Sequence, residues 1–301
     1  MRKSLAILGA GRVGRGVGRR LRELGWSIRG VAARSDASAK KAVRFIGSGQ
    51  AQVGVSRLAL DASVILLTVP DDAIALVAKE LASVAGSELR GKVVLHSSGA
   101  LAAADVLEPL RACGASVASM HPLQTFSGVG VPPLEGKVFA IEGDEVAVRT
   151  ARRIARALGG VPVSVASNKK PLYHVAGAFA AGLVLALEEA GVQTLMASGM
   201  KRREALKALL SLSRQVLEHY EKLGPHVAWT GPLSRGDYQV VARHQAALEE
   251  AKPEFLEAYQ VLSRLAAQVL SRDPQTMLLA LRNVSANSGR AFVARSKGGL
   301  A

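Results

Sequence analysis

Cysteine is almost absent from this 301-residue chain, in which Cys113 is the single example. One thiol excludes an intrachain disulfide and a thiolate metal cluster, and such scarcity is typical of a reducing compartment. The first nine residues carry two basic side chains and an apolar run that ends at a glycine loop, too short for a signal-peptide core or a membrane span. We therefore expect a cytoplasmic protein with no metal and no membrane partner.

Aromatic residues are also scarce, at 4% of the chain, although hydrophobic residues make up 49%. The balance is rich in alanine, leucine and valine, which suits helices packed on a sheet better than an all-β sandwich. The length is about twice that of a typical single domain. Composition and length together predict an α/β protein with two domains.

Acidic residues are in deficit, with 24 Asp and Glu against 39 Lys and Arg. A net charge of +15 suggests a nucleic-acid partner, since basic surfaces attract phosphates. The distribution argues against this interpretation, because no aromatic stacking residues interleave with the basic ones. Four of the five arginines of the first predicted helix form one solvated stripe, made up of Arg12, Arg15, Arg19 and Arg22. We expect attraction of an anionic cofactor and no nucleic acid.

Strands and helices alternate through the first half of the sequence. Residues 4–8, 12–24 and 26–33 predict a strand, a helix and a strand, which make a βαβ unit. Further strands are predicted at 64–69, 93–96, 115–120, 137–141 and 161–165, with helices at 72–84, 101–112 and 145–158. After Asn168 only helical periodicity remains, at 172–189, 201–223, 238–251 and 253–270. The pattern predicts a Rossmann-type doubly wound sheet over residues 1–166 and an all-helical C-terminal domain over residues 167–301.

A glycine loop, GAGRVG at residues 9–14, joins the first strand to the first helix. Gly9 permits a tight turn, Gly11 lets the backbone approach a phosphate, and Gly14 lets the helix pack on the strand. The helix begins with Arg12 and Val13, and its N-terminus supplies amide donors. A strand before the loop and a second strand after the helix make this a dinucleotide-binding loop.

The end of the second predicted strand lacks the acidic residue that NAD enzymes use to hold the ribose hydroxyls. Arg34 and Ser35 stand there instead. A guanidinium and a hydroxyl suit a 2′-phosphate, so we expect NADP as the cofactor. In the alternative, Ser35 or Asp36 caps the next helix and Arg34 is merely solvated.

Two more loops at the carboxyl ends of predicted strands are expected to line the same crevice. Val69 and Pro70 in one loop and Ser97 in the other are candidate cofactor contacts. The structural alternative is that Pro70 forms a turn, Asp72 caps a helix, and Ser97 or Ser98 caps the next one. The sequence leaves both alternatives open.

Several motifs together resemble one family. They are the glycine loop, VPDD at 69–72, HSSG at 96–99, HPLQTF at 121–126, Tyr173-His174 and GPLSRGD at 231–237. The sequence resembles Rossmann-like proteins with a C-terminal helical domain of unknown function, DUF2520, which are similar in plan to pyrroline-5-carboxylate reductase and ketopantoate reductase. The resemblance implies NADP binding and a homodimer formed through the C-terminal helices. The chain departs from the family pattern at Ala181-Gly182, where an amide side chain is expected.

Hydride transfer to a C=O or C=N bond requires a proton donor near the nicotinamide. Lys170 and His174 are four residues apart at the start of the second domain, so they would share one helix face. Lys170 is the candidate donor or oxyanion stabiliser, and His174 would orient the substrate. In the alternative, Lys170 is solvated and His174 makes an interfacial hydrogen bond. His121, predicted in a loop after a strand, would orient the substrate or cap the loop.

Arg235, Asp237 and His244 form a last candidate group. They would anchor an acidic substrate or pair with one another in a structural network. The leading hypothesis is an NADP(H)-dependent oxidoreductase that acts on the C=O or C=N bond of a small substrate at the domain junction. The sequence leaves open whether this substrate is anionic or neutral. The rival is a non-catalytic NADP-binding sensor or interaction protein, which the missing amide at Gly182 favours.

Overall fold

The computed structural model describes residues 3–284. Their contacts form two compact units, one that ends at Ala181 and one that begins at Gly182. The first unit is built on an eight-stranded sheet with helices, and the second is helical. The predicted fold class, a Rossmann-type sheet followed by a helical part, is confirmed.

The sheet of the first unit is mostly parallel. Its strands are β1 (Ser4–Leu8), β2 (Ser27–Ala33), β3 (Gln50–Val53), β4 (Val64–Leu67), β5 (Val93–His96), β6 (Ser116–Pro122), β7 (Val138–Gly143) and β8 (Val161–Ser164). They lie in the order β3-β2-β1-β4-β5-β6-β7-β8, and the β6–β7 pair is antiparallel. The order changes direction between β1 and β4, and ligands of such sheets bind at the carboxyl ends of the strands around that switch.

Helices cover both faces of this sheet. They are α1 (Arg12–Glu23), α2 (Asp36–Ile46), α3 (Asp71–Ala85), α4 (Ala103–Val106), α5 (Glu108–Ala112) and α6 (Glu145–Ala157), while α7 (Lys170–Ala178) follows β8 and is mostly exposed. One core cluster contains Leu21 of α1 and Ile154 of α6, and the other contains Leu81 of α3 and Leu110 of α5. Strands β1 and β4 are buried along their whole length, which explains their continuous apolar sequences.

A π-helical turn, Phe179–Leu183, continues α7, and the second unit begins within it. Its helices are α8 (Val184–Ala197), α9 (Arg202–Leu223), α10 (Pro225–Ala228), α11 (Tyr238–Ala251), α12 (Pro253–Leu270) and α13 (274–284). Val241, Ala267 and Leu281 are buried together, with Trp229 and Tyr259 packed against them. Helices α11 and α12 begin and end where the sequence pattern predicts.

Two parts of the sheet unit differ from the sequence prediction. The helix predicted at 101–112 is wrong, because α4 ends before Pro109, which lacks an amide hydrogen and whose ring would clash with the preceding turn. Helix α2 and edge strand β3 were not predicted. Residues Gln50–Val53 alternate polar and apolar side chains, but the run is only four residues long, and it pairs with β2 as a parallel strand.

Candidate functional site

Two glycines of the glycine loop are required by the fold. Gly9 has a φ of 111°, and a Cβ atom there would lie 2.6 Å from the carbonyl carbon of Thr68. A Cβ atom at Gly14 would lie 2.3 Å from Thr68 Oγ1 and 2.4 Å from the carbonyl oxygen of Gly9. Thr68 Oγ1 donates a 2.6 Å hydrogen bond to that same oxygen. The two glycines therefore let the loop close against the end of β4.

Gly11 differs from its two neighbours in the motif. A Cβ atom there would approach only the carbonyl oxygen of Thr68, at an ordinary 3.7 Å. Gly11 is the N-cap of α1 and gives the helix no side-chain cap, and the first turn holds no acidic residue. Arg12 is exposed at this end, whereas Val13 is half-buried. Packing does not require a glycine at residue 11, but the close approach of a phosphate to the helix amides would.

At the end of β2, the structure separates the roles of Arg34 and Ser35. Ser35 Oγ accepts a 3.4 Å hydrogen bond from the amide of Ser38, so Ser35 caps α2 as the alternative proposed. Asp36 pairs with Lys40 at 2.8 Å. Arg34 is exposed and makes no ion pair with any residue from 3 to 284. Its guanidinium is thus accessible to an anion beside the end of β2.

The loops after β4 and β5 lie at the carboxyl edge, as predicted. Pro70 precedes α3, which begins at Asp71, so the expected cap at Asp72 is wrong. Ser97 donates its amide to the carbonyl oxygen of Leu67, which ties the two strand ends together. Val69 is half-buried near this edge. These residues have the right position to line a crevice.

Ser98, and not Ser97, organises the loop after β5. Its buried hydroxyl accepts hydrogen bonds from the amides of Ala100 and Leu101, at 3.1 and 3.0 Å. The same hydroxyl donates to Asp71 Oδ2 at 2.7 Å. The loop after β5 is thereby fixed to the first residue of α3.

Lys170 is buried against this loop, with 1% of its surface exposed. Its Nζ donates to the carbonyl oxygen of Ser98 at 3.0 Å and to Ser119 Oγ at 2.5 Å. Glu142 Oε1 lies 3.9 Å away. The solvated alternative for Lys170 is wrong. Burial lowers the pKa of Lys170 to about 8, although Glu142 and Asp71 oppose that shift.

Glu142 is a buried carboxylate that the sequence analysis missed. Its Oε1 accepts the amide hydrogen of Ala103 at 2.8 Å, and its Oε2 accepts the hydroxyl hydrogen of Ser167 at 2.8 Å. Glu142 pairs in register with Ser119 of β6, which pairs with His96 of β5. A row of buried polar side chains therefore crosses three adjacent strands and receives Lys170.

His121 lies inside β6, paired with Ala140, so its predicted position in a loop is wrong. The strand continues to Pro122 because a proline is tolerated at a strand end, where its missing amide hydrogen is not needed. His121 Nδ1 and the hydroxyl of Tyr173 share a 2.8 Å hydrogen bond. The rings of Tyr173 and His174 meet the His121 ring edge to face, at 5.5 and 5.9 Å.

The His121–Tyr173 pair is neutral near pH 7. Burial, together with the charges of Lys170 and His174, lowers the pKa of His121 to about 4, although Asp71 opposes that shift. Burial raises the pKa of Tyr173 to about 12. The hydrogen bond between them therefore involves an imidazole with one proton and a phenol, which can pass a proton in either direction.

The absence of a side chain at Gly99 leaves room for the rings of His121 and His174. A Cβ atom there would lie 2.7 Å from His174 Cδ2 and 2.9 Å from His121 Nε2. His174 is exposed and His121 is half-buried, whereas Lys170 is enclosed. The predicted pair Lys170 and His174 thus flanks one loop, with the lysine beneath it and the histidine at the surface.

His96 is a fully buried histidine that the sequence analysis named only as part of the HSSG motif, without a role of its own. Its Nδ1 accepts a 3.1 Å hydrogen bond from the amide of Ser98, so the neutral ring carries its proton on Nε2. Burial, with the charge of Lys170, lowers the pKa of His96 to about 3. Within residues 3–284, no partner accepts a hydrogen bond from Nε2.

The residues of the second unit favour the structural alternative. Arg235 and Asp237 pair with each other at 3.0 Å, while His244 Nδ1 bonds the hydroxyl of Tyr259 at 2.9 Å. Gly182 lies in the π-helical turn, and a Cβ atom there would meet nothing within 4 Å. The part of the chain from 3 to 284 contains no group of three or more acidic, histidine or cysteine side chains that could hold a metal ion.

Solved structures with the same fold cover most of this chain. Protein TM1727 from Thermotoga maritima is 25% identical, with a TM-score of 0.64, over 88% of this chain and 97% of that one. A reductive aminase from Aspergillus terreus, in complex with NADPH and ethyl-5-oxohexanoate, is 18% identical, with a TM-score of 0.67, over 89% and 94%. A pyrroline-5-carboxylate reductase from Coxiella burnetii is 17% identical, with a TM-score of 0.56, over 89% and 98%.

Family models identify both parts of the sequence. The model of a Rossmann-like domain matches residues 1–122, and that of a domain of unknown function, DUF2520, matches residues 137–266. No curated protein matches the chain significantly. The chain therefore joins a segment that matches the Rossmann-like domain model to a segment that matches the DUF2520 model.

Proposed function

We propose that this protein is an NADP(H)-dependent oxidoreductase that acts on the C=O or C=N bond of a small substrate. The observation that carries the proposal is the enclosed Lys170 beside the neutral His121–Tyr173 pair, at the sheet edge that also holds the glycine loop. Perturbed ionisable groups in such a place are typical of proton-transfer sites. The reductive aminase and the pyrroline-5-carboxylate reductase with this fold support the same class of reaction.

The residues present fit NADP(H). The helix amides behind Gly11 would hold the diphosphate together with Gly9, Arg12, Val13 and Gly14, because Gly11 leaves that end of α1 uncovered. Arg34 would bind the 2′-phosphate, with Ser35 beside it as the helix cap. The loop residues Val69, Pro70 and Ser97 would border the nicotinamide. When bound, the cofactor supplies or accepts a hydride.

Side chains of this protein would supply the proton for the reduced atom and the positive charge that stabilises the transition state. Reduction of C=O or C=N leaves an oxygen or nitrogen atom that takes up a proton. Tyr173 and His121 would deliver it, since they share a hydrogen bond and lie nearer the surface than Lys170. Lys170 would act as a fixed cation that stabilises developing negative charge through the Ser98 loop. His174, exposed beside His121, would orient the substrate.

A second candidate function is a nucleotide sensor without turnover. The absence of a side chain at Gly182, where the family resemblance implies an amide, favours it. Single-turnover oxidation of NADPH in the presence of aldehydes, ketones and preformed imines separates the two functions. We expect NADPH oxidation with at least one of these classes. Tight NADPH binding with no oxidation across the panel would favour the sensor.

We also propose a homodimer formed through the helix that begins at Lys170. Residues Ser167–Ala197 are long and apolar enough to cross a membrane by length and composition, with a mean hydropathy of 1.6, yet only 6% of the most apolar window is buried within the chain. Leu172 and Leu185 are about 70% exposed. So large an exposed apolar surface requires a partner. A second copy of the chain would cover it.

A further inference from the structure

The segment between β6 and β7 contains part of the HPLQTF motif. Within that motif, the proposed function gives a role only to His121. Residues 123–130, here called the strap, touch two helices of the first unit. A Cβ atom at Gly177 of α7 would lie 3.2 Å from Leu123 Cδ1. A Cβ atom at Gly16 of α1 would lie 3.2 Å from the ring of Phe126. The strap therefore runs from the helix that carries Lys170 to the helix that begins at the glycine loop.

Gly16 is explained by this contact. It lies inside α1, where a glycine costs about 1 kcal/mol relative to alanine. It is no member of the glycine loop, and no positive φ requires it. The absence of a side chain lets the ring of Phe126 rest on the helix backbone. Phe126 also packs against the edge of the core cluster beneath α1.

The tip of the strap lies beside the first residue of α1. A Cβ atom at Gly128 would lie 3.3 Å from Cγ and Nε of Arg12. Arg12 follows Gly11, the glycine that packing does not require. Gly128 and Gly130 both have positive φ, and Val129 between them is 89% exposed. The strap thus ends within one arginine side chain of the place where a diphosphate would sit, with its outer surface uncovered.

We propose that the strap is the wall that holds the nicotinamide mononucleotide half of NADP(H), with Phe126 and Gly16 as its positioning residues. The inference rests on the proposed function. In a Rossmann sheet the adenosine half lies towards the end of β2, and the diphosphate sits at the glycine loop. The strap begins next to His121 and ends next to Arg12. The strap therefore lies between the expected position of the diphosphate and the candidate proton donors. Arg34 lies on the other side of the diphosphate.

Two ligands serve as probes that distinguish contacts to the nicotinamide half from contacts to the adenosine half. NADPH contains both halves, whereas adenosine 2′,5′-bisphosphate contains only the adenosine half with its two phosphates. The variants are Phe126→Ala, Gly16→Ala and the double variant. Phe45→Ala is the matched control, because Phe45 is a half-buried phenylalanine that contacts Arg15 and Arg19 of the same helix away from the strap.

Calorimetric titration should show that Phe126→Ala and Gly16→Ala each weaken NADPH binding by about tenfold, as expected for loss of an aromatic anchor. Binding of adenosine 2′,5′-bisphosphate should stay within about twofold of the parent, since the adenosine half does not touch the strap. The double variant should lose little more than either single one, because both changes remove the same contact. Phe45→Ala should bind both probes like the parent.

Several outcomes would overturn the inference. They are unchanged NADPH affinity in both strap variants, an equal loss for both probes, or the same loss in Phe45→Ala. A parent protein that binds neither probe would overturn the proposed function itself. If the parent and the strap variants bind NADPH equally well, only the role of the strap is overturned. Thermal melts without ligand check that the variants fold. If Phe126→Ala does not fold, Gly16→Ala alone tests the strap.

Discussion

At the scale of single residues, the three glycines of the loop have different physical reasons to be glycine. We predict that Gly11→Val abolishes NADPH binding while stability changes by about 1 kcal/mol or less, because the new side chain meets no protein atom closely. Gly14→Val should destabilise the fold by about 3 kcal/mol, because its Cβ would overlap Thr68 and the carbonyl of Gly9. NADPH titration and denaturant unfolding of both variants test this, and unchanged binding by Gly11→Val would contradict it.

Buried His96 and half-buried His121 make stability depend on pH. The pKa of His96 falls to about 3 and that of His121 to about 4, from 6.5 in the unfolded chain. Below pH 6.5 the unfolded chain binds protons that the folded chain refuses, so stability present above pH 6.5 is lost as the pH falls towards 4. Each histidine should cost about 2 kcal/mol at pH 5.

Denaturant unfolding at pH 7, 6 and 5 measures that loss. His121→Gln removes one of the two titrating groups, so its stability should fall less steeply between pH 7 and 5 than that of the parent. A parent whose free energy of unfolding is flat over this range would show that the histidines are not held neutral.

Lys170 is expected to act in turnover and not in cofactor binding. Lys170→Met should lower single-turnover oxidation of bound NADPH by roughly 10²-fold and hardly change NADPH affinity. It should also cost about 3 kcal/mol of stability, since buried Glu142 loses its cation. Lys169→Met, at the exposed neighbour, is the matched control and should react like the parent. Full turnover in Lys170→Met would transfer the role to His121 and Tyr173.

At the scale of elements, local patterns predicted most of what is observed. The glycine loop, β1 and α1 follow from spacing within a few residues, and so do the ends of α11 and α12. Strand β3 was not predicted, because its alternation of polar and apolar residues extends over only four positions. The split between α4 and α5 had a visible signal in Pro109, which the sequence analysis did not use.

The polar row beneath Lys170 shows the limit of that reasoning. His96 and Ser119 could have been found, because both lie near the carboxyl ends of predicted strands. Glu142 could not, since it reaches Ser119 only through the antiparallel pairing of β6 with β7. Lys170 was predicted as a site residue, but its burial depends on that same row. Long-range register, which no local pattern contains, decides this part of the site.

The helix at 184–197 allows a direct test of the dimer. We predict that the protein is a dimer by light scattering at micromolar concentration, and that Leu185→Arg converts it to a monomer by placing a charge on an exposed apolar surface. Leu76→Arg, at an equally apolar and 58% exposed position on α3, is the control and should remain dimeric. A monomeric parent would contradict the proposed interface.

At the scale of the whole molecule, the central claim is that this chain binds NADP(H). The net charge of +15 favours the approach of any anion and cannot by itself distinguish NADPH from NADH. The distinction depends on Arg34, which is exposed and unpaired within residues 3–284, at the end of β2. A guanidinium bound to a 2′-phosphate contributes about 1.5–3 kcal/mol, or tenfold and more in affinity.

The most direct test is calorimetric titration of the parent and of Arg34→Ala with NADPH and with NADH. The account predicts binding of NADPH at least about tenfold tighter than that of NADH, and loss of this preference in Arg34→Ala while NADH affinity is retained. Arg44→Ala, an exposed arginine on α2, should keep the preference. Equal affinities in the parent would contradict the assignment of NADP, and no binding of either dinucleotide would contradict the account as a whole.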